Sequence, residues 1–210
     1  QAINSKNYHL IKNSDEIDEW IKEAEEVGEV AVDTETNSLD PHQADLVGVS
    51  LCSKIGKACY IPIGHKSSKC IDKNIVIKKL KPLLEDPSVK KIGQNIKFDF
   101  IILYKQGITI SSMEDTMLMS YVLDAGKNRH NMDTLSEIHL GHKTISFKEI
   151  VGTGKKEVNF SDVDIDKAKD YAAEDADITF RLYKKFIKNL KLEKMINIYE
   201  IFEKPLIKIL

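Results

Sequence analysis

Three closely spaced runs of β-forming residues between positions 29 and 65 constrain the fold of this chain more than any other feature. They read EVAVDTET, DLVGVSLCS and KACYIPIGH, and polar or glycine-containing breaks separate them. Runs rich in Val, Ile, Leu and Tyr with such breaks predict consecutive strands. Because the connections between them are short, we expect antiparallel neighbours in one sheet.

Helical spacing of apolar residues dominates the rest of the chain. SDEIDEWIKEAEEV predicts an amphipathic helix with Ser14 as its N-cap. After the three strands, the sequence predicts a helix, a short strand and three further helices, in NIVIKKLKPLLED, VKKIGQN, FDFIILYKQG, EDTMLMSYVLD and NMDTLSEIHLG. Residues 152–166 are predicted to form a surface loop, and the strongest helical pattern covers 164–194. We therefore predict an α/β domain with helices packed on the sheet.

Composition limits the class of protein. With 210 residues, 42% of them hydrophobic and 30% charged, the chain is expected to form one compact domain. Its net charge of −2 offers no general attraction to nucleic acid, so any DNA contact has to be local. The three cysteines, Cys52, Cys59 and Cys70, lack C-x-x-C spacing and fit reduced thiols in the cytosol.

The sequence also bears on cellular location. It contains no uninterrupted apolar run of about 18 residues and no charged-then-apolar signal pattern at its start. We therefore expect a cytoplasmic protein without a membrane segment, and a monomer. Because the chain begins at Gln1 and stops in the apolar run EKPLIKIL, we expect a piece of a longer protein.

The first candidate functional residues are Asp33 and Glu35, at the end of the strand EVAVDTET. Residues i and i+2 of a strand share a face, so these two carboxylates converge on one side of the sheet. Alone, this spacing is more typical of a solvated strand end than of a catalytic site.

Two further groups of polar residues lie later in the chain. Gly93 and Asn95 predict a turn between a strand and a helix, with Asp99 about one turn into that helix. Tyr171 and Asp175 are four positions apart and therefore project from one face of the long helix. Taken singly, each group has an ordinary structural explanation: a carboxylate near a helix N-terminus, or a surface pair.

Taken together, VDTETNSLD, IGQNIKFD and YAAEDAD resemble the three exonuclease motifs of the DEDD superfamily, subtype with tyrosine. More specifically, nearly the whole chain resembles the family of 3′–5′ proofreading domains of bacterial DNA polymerase I. The resemblance implies a ribonuclease H-like fold, a mixed β-sheet flanked by α-helices. It further implies an exonuclease domain over 1–200, with 201–210 beginning a segment that leads into a polymerase region.

The resemblance also implies a metal site. Its carboxylate ligands would be Asp33, Glu35, Asp99 and Asp175, and they would hold two Mg²⁺ ions, with Mn²⁺ as a substitute. Asp33 would bridge both ions, Glu35 and Asp175 would complete the site that holds the attacking water, and Asp99 would help to hold the second ion. Tyr171 would position that water by hydrogen bonding, because a phenol of ordinary pKa is neutral at pH 7.

Four residues are implied to contact the substrate: Thr34, Leu39, Asn95 and Phe98. Leu39 matches a family residue that wedges against the terminal bases. Phe98 stands where relatives often carry Tyr, and Asn37 stands where they often carry Asp. Neither of these two is a metal ligand, so the departures leave the implied activity intact.

The implied reaction releases nucleoside 5′-monophosphates from single-stranded or frayed DNA 3′ ends, with the polymerase region of the same full-length chain as partner. Two alternatives stay open. A ribonuclease D-like RNA exonuclease shares the carboxylates and the tyrosine, which cannot by themselves distinguish ribose from deoxyribose. The other alternative is a catalytically silent module that positions single-stranded DNA; loss of a carboxylate would indicate it, and none is lost.

Overall fold

A computed structural model describes residues 3–4, 7–66 and 68–209. The strands are β1 (His9–Leu10), β2 (Glu29–Thr36), β3 (Leu46–Lys54), β4 (Lys57–Pro62), β5 (Lys90–Gly93) and β6 (Met113–Asp115). The helices are α1 (Ser14–Val27), α2 (Lys73–Glu85), α3 (Ile96–Lys105), α4 (Thr116–Asp124), α5 (Met132–Leu140), α6 (Phe147–Val151), α7 (Ile165–Leu192) and α8 (Ile196–Ile198). Short helical turns cover Gly154–Lys156, Phe160–Asp162, Tyr199–Glu203 and Lys204–Lys208.

The strands form one mixed sheet in the order β1-β4-β3-β2-β5-β6. The consecutive strands β2, β3 and β4 pair antiparallel, as their short connections predicted. β5 pairs parallel with β2 and with β6, and β1 pairs parallel with β4. β2 therefore lies inside the sheet, and the predicted α/β class with a mixed sheet is confirmed.

Helices cover both faces of the sheet. Apolar side chains of α1, α2 and α3 pack on one face, and those of α4, α5 and α7 pack on the other. Covering on both faces explains why β3 is buried over all but its last residue. In the part of the chain that the structure describes, no helix combines the length and the apolar character needed to cross a membrane.

A buried carboxylate on α7 fixes the position of that helix. Asp177 is fully buried and accepts hydrogen bonds from the Tyr8 hydroxyl (2.9 Å), the Gly56 backbone N–H (2.8 Å) and Arg181 Nε (3.0 Å). These donors belong to the N-terminal segment, the turn between β3 and β4, and α7 itself. The helix is thereby tied to the sheet two residues beyond Asp175 and six beyond Tyr171.

Several predictions about local structure were wrong. The N-cap of α1 is Asn13, whose side chain accepts from the backbone N–H groups of Asp15 and Glu16, whereas Ser14 is the first helical residue. β1 was not predicted, and the start of the helix predicted in EDTMLMSYVLD belongs to β6. Strands of two or three residues are too short to show a period of two.

The segment 152–166 is not a wholly exposed loop. It contains the short helical turns Gly154–Lys156 and Phe160–Asp162, and Phe160 and Val163 within it are buried. Turn-forming residues predict the path of the backbone and not its burial, so this part of the prediction was wrong. The predicted division at 200/201 stays a prediction, and residues 1–2, 5–6, 67 and 210 of those ranges lie outside the described residues.

Candidate active site

The end of β2 opens into a cleft of about 920 Å³. Its walls come from the residues that follow β2, from the start of α3, from α6 and the segment after it, and from the first half of α7. Asp33, Glu35, Tyr171 and Asp175 lie among its lining residues. Four of the five predicted catalytic residues therefore face one cavity.

Three carboxylates converge at the bottom of the cleft. One oxygen each from Asp33, Glu35 and Asp175 lies within 4.8 Å of the other two. Asp33 and Glu35 share a face because they are two positions apart in β2, and α7 packs on that face with Asp175. The sheet and the long helix thus assemble a cluster whose parts are far apart in the sequence.

This cluster is electrostatically unfavourable in its ionised form. Burial raises the pKa of Asp33 to about 6. Burial also raises the pKa of Glu35 well above its usual range, and the charges of Asp33, Asp175 and Asp99 raise it further. Burial is also the largest cause of the raised pKa of Asp175, and the charge of Asp33 is the next largest. Clustered carboxylates of this kind are stabilised as anions by divalent cations, and all-oxygen donors suit Mg²⁺.

Asp99 lies beside this cluster. It is the fourth residue of α3, it is buried, and its Oδ1 accepts hydrogen bonds from the backbone N–H (2.8 Å) and hydroxyl (2.6 Å) of Thr34. Burial raises its pKa well above the usual range, and the charge of Asp33 adds to this. Among the described residues, the group of oxygens within 4.8 Å comprises the other three carboxylates only. Its role as a fourth ligand stays a prediction.

Tyr171 stands next to the carboxylates. Its hydroxyl forms a hydrogen bond with Asp175, one turn further along α7. Burial, then the charges of Asp175, Glu35 and Asp33, raise the pKa of Tyr171 well above 10, so the phenol is neutral at physiological pH. Its ring lies 6.1 Å from that of Phe147 and 6.0 Å from that of Phe160, which limits its motion.

The four residues predicted to contact the substrate all line the cleft: Thr34, Leu39, Asn95 and Phe98. Leu39 is 86% exposed at the rim, where an apolar side chain gains nothing from the fold. Phe98 is half-buried against the core beneath α3. Thr34 has a further role that was not predicted, as the hydrogen-bond donor to Asp99. Contact of these residues with a substrate stays a prediction.

The predicted turn before α3 is present and has a steric reason. A Cβ atom on Gly93 would lie 2.7 Å from Cβ of Ile96, so the backbone can double back only without a side chain there. Asn95 has φ of 62° in the left-handed region, which Asn tolerates better than most residues. This compact turn brings Asn95 to the cleft and starts the helix that carries Asp99.

Sequence reasoning missed the part of the cleft wall that α6 and the segment after it contribute. Phe147 and Val158 line the cleft with exposed apolar surface, and Asn159 Nδ2 donates to the Asn37 carbonyl oxygen (2.7 Å). That bond links the segment after α6 to the segment after β2. The turn-forming residues between 152 and 166 carry no periodicity that could show which side faces the site.

Comparison with known proteins identifies relatives across the whole chain. Residues 8–191 match the family model described as 3′-5′ exonuclease. The chain is 43% identical to the DNA polymerase I of Rhizobium leguminosarum, covering 97% of this chain and 22% of the relative. Identity to the DNA polymerase I of Pseudomonas aeruginosa is 40%, covering 97% and 23%, and to that of Borreliella burgdorferi 37%, covering 100% and 23%. The chain thus spans less than a quarter of the length of these relatives.

Solved structures share the fold. The POL domain of Pol1 from M. smegmatis, in complex with DNA primer-template and dNTP, has a TM-score of 0.70 at 16% identity, covering 96% of this chain and 30% of that one. Brucella melitensis NrnC with bound Mg²⁺ has a TM-score of 0.63 at 23% identity, covering 90% and 82%. At these identities the likeness concerns the fold, and the predicted ribonuclease H-like architecture is confirmed.

Proposed function

The chain belongs to the 3′–5′ exonuclease family found in bacterial DNA polymerase I, and from this premise we propose that it hydrolyses the last phosphodiester of DNA 3′ ends as a proofreading nuclease. Its products would be nucleoside 5′-monophosphates. The observation that carries the proposal is the convergence of Asp33, Glu35 and Asp175 within 4.8 Å at the bottom of a cleft, beside a neutral tyrosine.

We infer that divalent cations are part of this site. Asp33, Glu35 and Asp175 would hold one ion, and Asp33 with Asp99 would hold a second, with Mg²⁺ preferred and Mn²⁺ as a substitute. The raised pKa values of all four carboxylates support the need for positive charge there. When bound, such ions supply Lewis-acid activation of water and neutralise charge on the leaving 3′ oxygen.

Tyr171 would orient the attacking water. Its hydroxyl donates to Asp175, which leaves the phenol oxygen able to accept a hydrogen bond from a water molecule. Because the pKa of Tyr171 lies well above 10, the residue does not serve as a general base near pH 7. The aromatic contacts with Phe147 and Phe160 hold the ring in one orientation.

The shape of the cleft favours single-stranded or frayed ends. Leu39, Phe147 and Val158 offer exposed apolar surface to unstacked bases, and a paired duplex would have to separate to reach the carboxylates. With a net charge of −2, binding of DNA by this chain alone is expected to be weak and strongly salt-dependent.

Its setting in the cell is also part of the proposal. We infer that the chain acts as a monomer in the cytoplasm, together with a polymerase region of the same full-length protein. The support is the identity of 37–43% to DNA polymerase I proteins that are more than four times as long as the matched region.

Digestion of a 5′-labelled single-stranded DNA oligonucleotide tests the proposal. The reaction is run with Mg²⁺, with Mn²⁺ and with EDTA, beside an Asp33→Ala variant and an RNA strand of the same sequence. We expect a ladder that shortens from the 3′ end of DNA and that disappears with EDTA and in the variant. Preferential digestion of RNA would favour a ribonuclease D-like enzyme, and DNA binding without any cleavage would favour a silent positioning module.

A further inference from the structure

A single carboxylate joins the starts of two helices beside the candidate active site. Asp115, the last residue of β6, accepts at Oδ1 from the backbone N–H groups of Asn95 (3.1 Å), Met117 (2.8 Å) and Leu118 (3.4 Å). Its Oδ2 accepts from the N–H of Ile96 (3.0 Å). Two of the donors belong to the start of α3 and two to the start of α4.

For α4, Asp115 is an ordinary N-cap, because it directly precedes the helix. For α3 it is an N-cap supplied by a separate element, the strand β6. The residue that precedes α3, Asn95, makes no side-chain cap hydrogen bond of its own. The first N–H groups of a helix need partners, and here a side chain 19 positions beyond Ile96 provides them.

The surroundings of Asp115 restrict the motion of its carboxylate. Asp115 is only 2% exposed, and its own backbone N–H donates to the Tyr199 hydroxyl (3.0 Å), which in turn donates to Glu114 (2.8 Å). Burial raises the pKa of Asp115, and the four backbone N–H donors at the two helix N-termini oppose that rise by hydrogen bonding to the carboxylate. Asp115 therefore links the starts of α3 and α4 directly, and the Thr116 hydroxyl adds bonds to the Gly93 carbonyl oxygen (3.1 Å) and to Gln94 Oε1 (2.5 Å).

The start of α3 carries the residues that matter for the cleft. Asn95 and Phe98 line it, and Asp99 lies one turn further on, bonded to Thr34. A shift of the first turn of α3 would move all three together.

We propose that Asp115 is a positioning residue for the nuclease site: it fixes the first turn of α3 and so places Asn95 and Asp99. This inference rests on the proposed function, in which Asp99 helps to hold a divalent cation. Asp115 itself does not line the cleft that contains the carboxylate cluster.

The variant Asp115→Asn removes the bond to Ile96 and leaves the others in place. Asn is as good an N-cap as Asp, so its oxygen at the Oδ1 position can keep the bonds to Met117, Leu118 and Asn95. Its side-chain NH2 group then faces the backbone N–H of Ile96, and no hydrogen bond can form because both groups are donors. The matched control is Asp72→Asn, which makes the same change at the N-cap of α2, where Asp72 accepts from Asn74 and Ile75.

Two measurements are made on the same samples. Amide hydrogen exchange of the metal-free proteins should show faster exchange at the start of α3 in Asp115→Asn, with little change at the start of α4. In the oligonucleotide assay, this variant should need about tenfold more Mg²⁺ for half-maximal rate, or lose about tenfold in kcat, because small misplacements of a ligand are costly. Asp72→Asn should match the unchanged protein in both.

Several results would overturn the inference. One is unchanged exchange at α3; another is faster exchange with an unchanged Mg²⁺ requirement and kcat. Asp115→Ser, which can also cap α4 and brings no amide donor, is the second variant if Asp115→Asn does not fold. Failure of both to fold would make Asp115 a stability residue only. A lack of hydrolysis by the unchanged protein would instead count against the proposed function, while the exchange data would still test the link to α3.

Discussion

The hydroxyl and the backbone N–H of Thr34 both donate to the same oxygen of Asp99, over 2.6 and 2.8 Å. Thr34 stands between Asp33 and Glu35 in β2, so its side chain points to the opposite face of the sheet, toward α3. β2 therefore contributes two carboxylates directly and holds a third through a threonine.

Thr34→Val should weaken the hold on Asp99 while keeping the shape of the side chain. A hydrogen bond to a charged group contributes about 1.5–3 kcal/mol, so kcat/KM at limiting Mg²⁺ should fall by roughly tenfold or more. Thr34→Ser keeps the hydroxyl and should retain most of the rate. Titrations of Mg²⁺ in the oligonucleotide assay measure both, and equal rates for the two variants would show that this hydroxyl does not matter.

Without bound metal, the free energy of unfolding should fall as pH rises. The pKa of Asp33 is raised from 3.8 to about 6 in the folded state, so its stabilising contribution is complete below pH 3.8 and is lost as pH rises through about 6. In EDTA at pH 8, Asp33→Asn should therefore unfold at a higher temperature than the unchanged protein, although we expect it not to hydrolyse DNA. Mg²⁺ should raise the unfolding temperature of the unchanged protein more than that of the variant.

The control for charge alone is Glu25→Gln on α1, where the carboxylate is exposed. It should not alter the response to Mg²⁺. Thermal unfolding followed by circular dichroism between pH 4 and 8 measures all three proteins. If the unfolding temperature of Asp33→Asn depends on pH and Mg²⁺ in the same way as that of the unchanged protein, the carboxylate cluster is not the group that titrates and binds the ion.

Tyr171→Phe should lower kcat by at least about tenfold, because the hydroxyl proposed to orient the water is lost. The ring would still pack against Phe147 and Phe160, so the fold and the affinity for Mn²⁺ should stay nearly the same. Single-turnover kinetics give the rate, and calorimetry gives the Mn²⁺ affinity. An unchanged rate would remove the tyrosine from the mechanism.

Leu39→Ala should affect the substrate and not the fold. The side chain is 86% exposed, so its loss should change stability by less than about 0.5 kcal/mol. If Leu39 contacts the terminal bases, kcat/KM on single-stranded DNA should fall by roughly fivefold, as expected for the loss of a small apolar contact. Leu192→Ala, at the exposed end of α7, is the control and should leave kcat/KM unchanged.

Local patterns in the sequence were sufficient for part of the site. A period of two placed Asp33 and Glu35 on one side of β2, and a period of 3.6 placed Tyr171 and Asp175 on one face of α7, as the structure has them. No spacing, however, shows which helix crosses which strand. From the sequence, only the resemblance to a family indicated that these residues form one site.

Other features could not be predicted because they depend on contacts between distant segments. The pairing of Thr34 with Asp99 and the cap that Asp115 supplies to α3 join residues of different elements. β6, which carries Asp115, has only three residues and lies within a run that has helical spacing. The burial of Phe160 likewise follows from how α6 and α7 meet, and turn-forming neighbours conceal it.

The origin of the three clustered carboxylates in β2 and α7 has a consequence for biosynthesis. A ribosome delivers β2 early and α7 only near the end of this region, so a growing chain displays Asp33 and Glu35 long before Asp175 can join them. Until then the chain lacks the site on which hydrolysis is proposed to depend. A nascent or truncated product that lacks α7 is therefore expected to be harmless to the DNA around it, and the proposed nuclease activity requires α7 to have packed on the sheet.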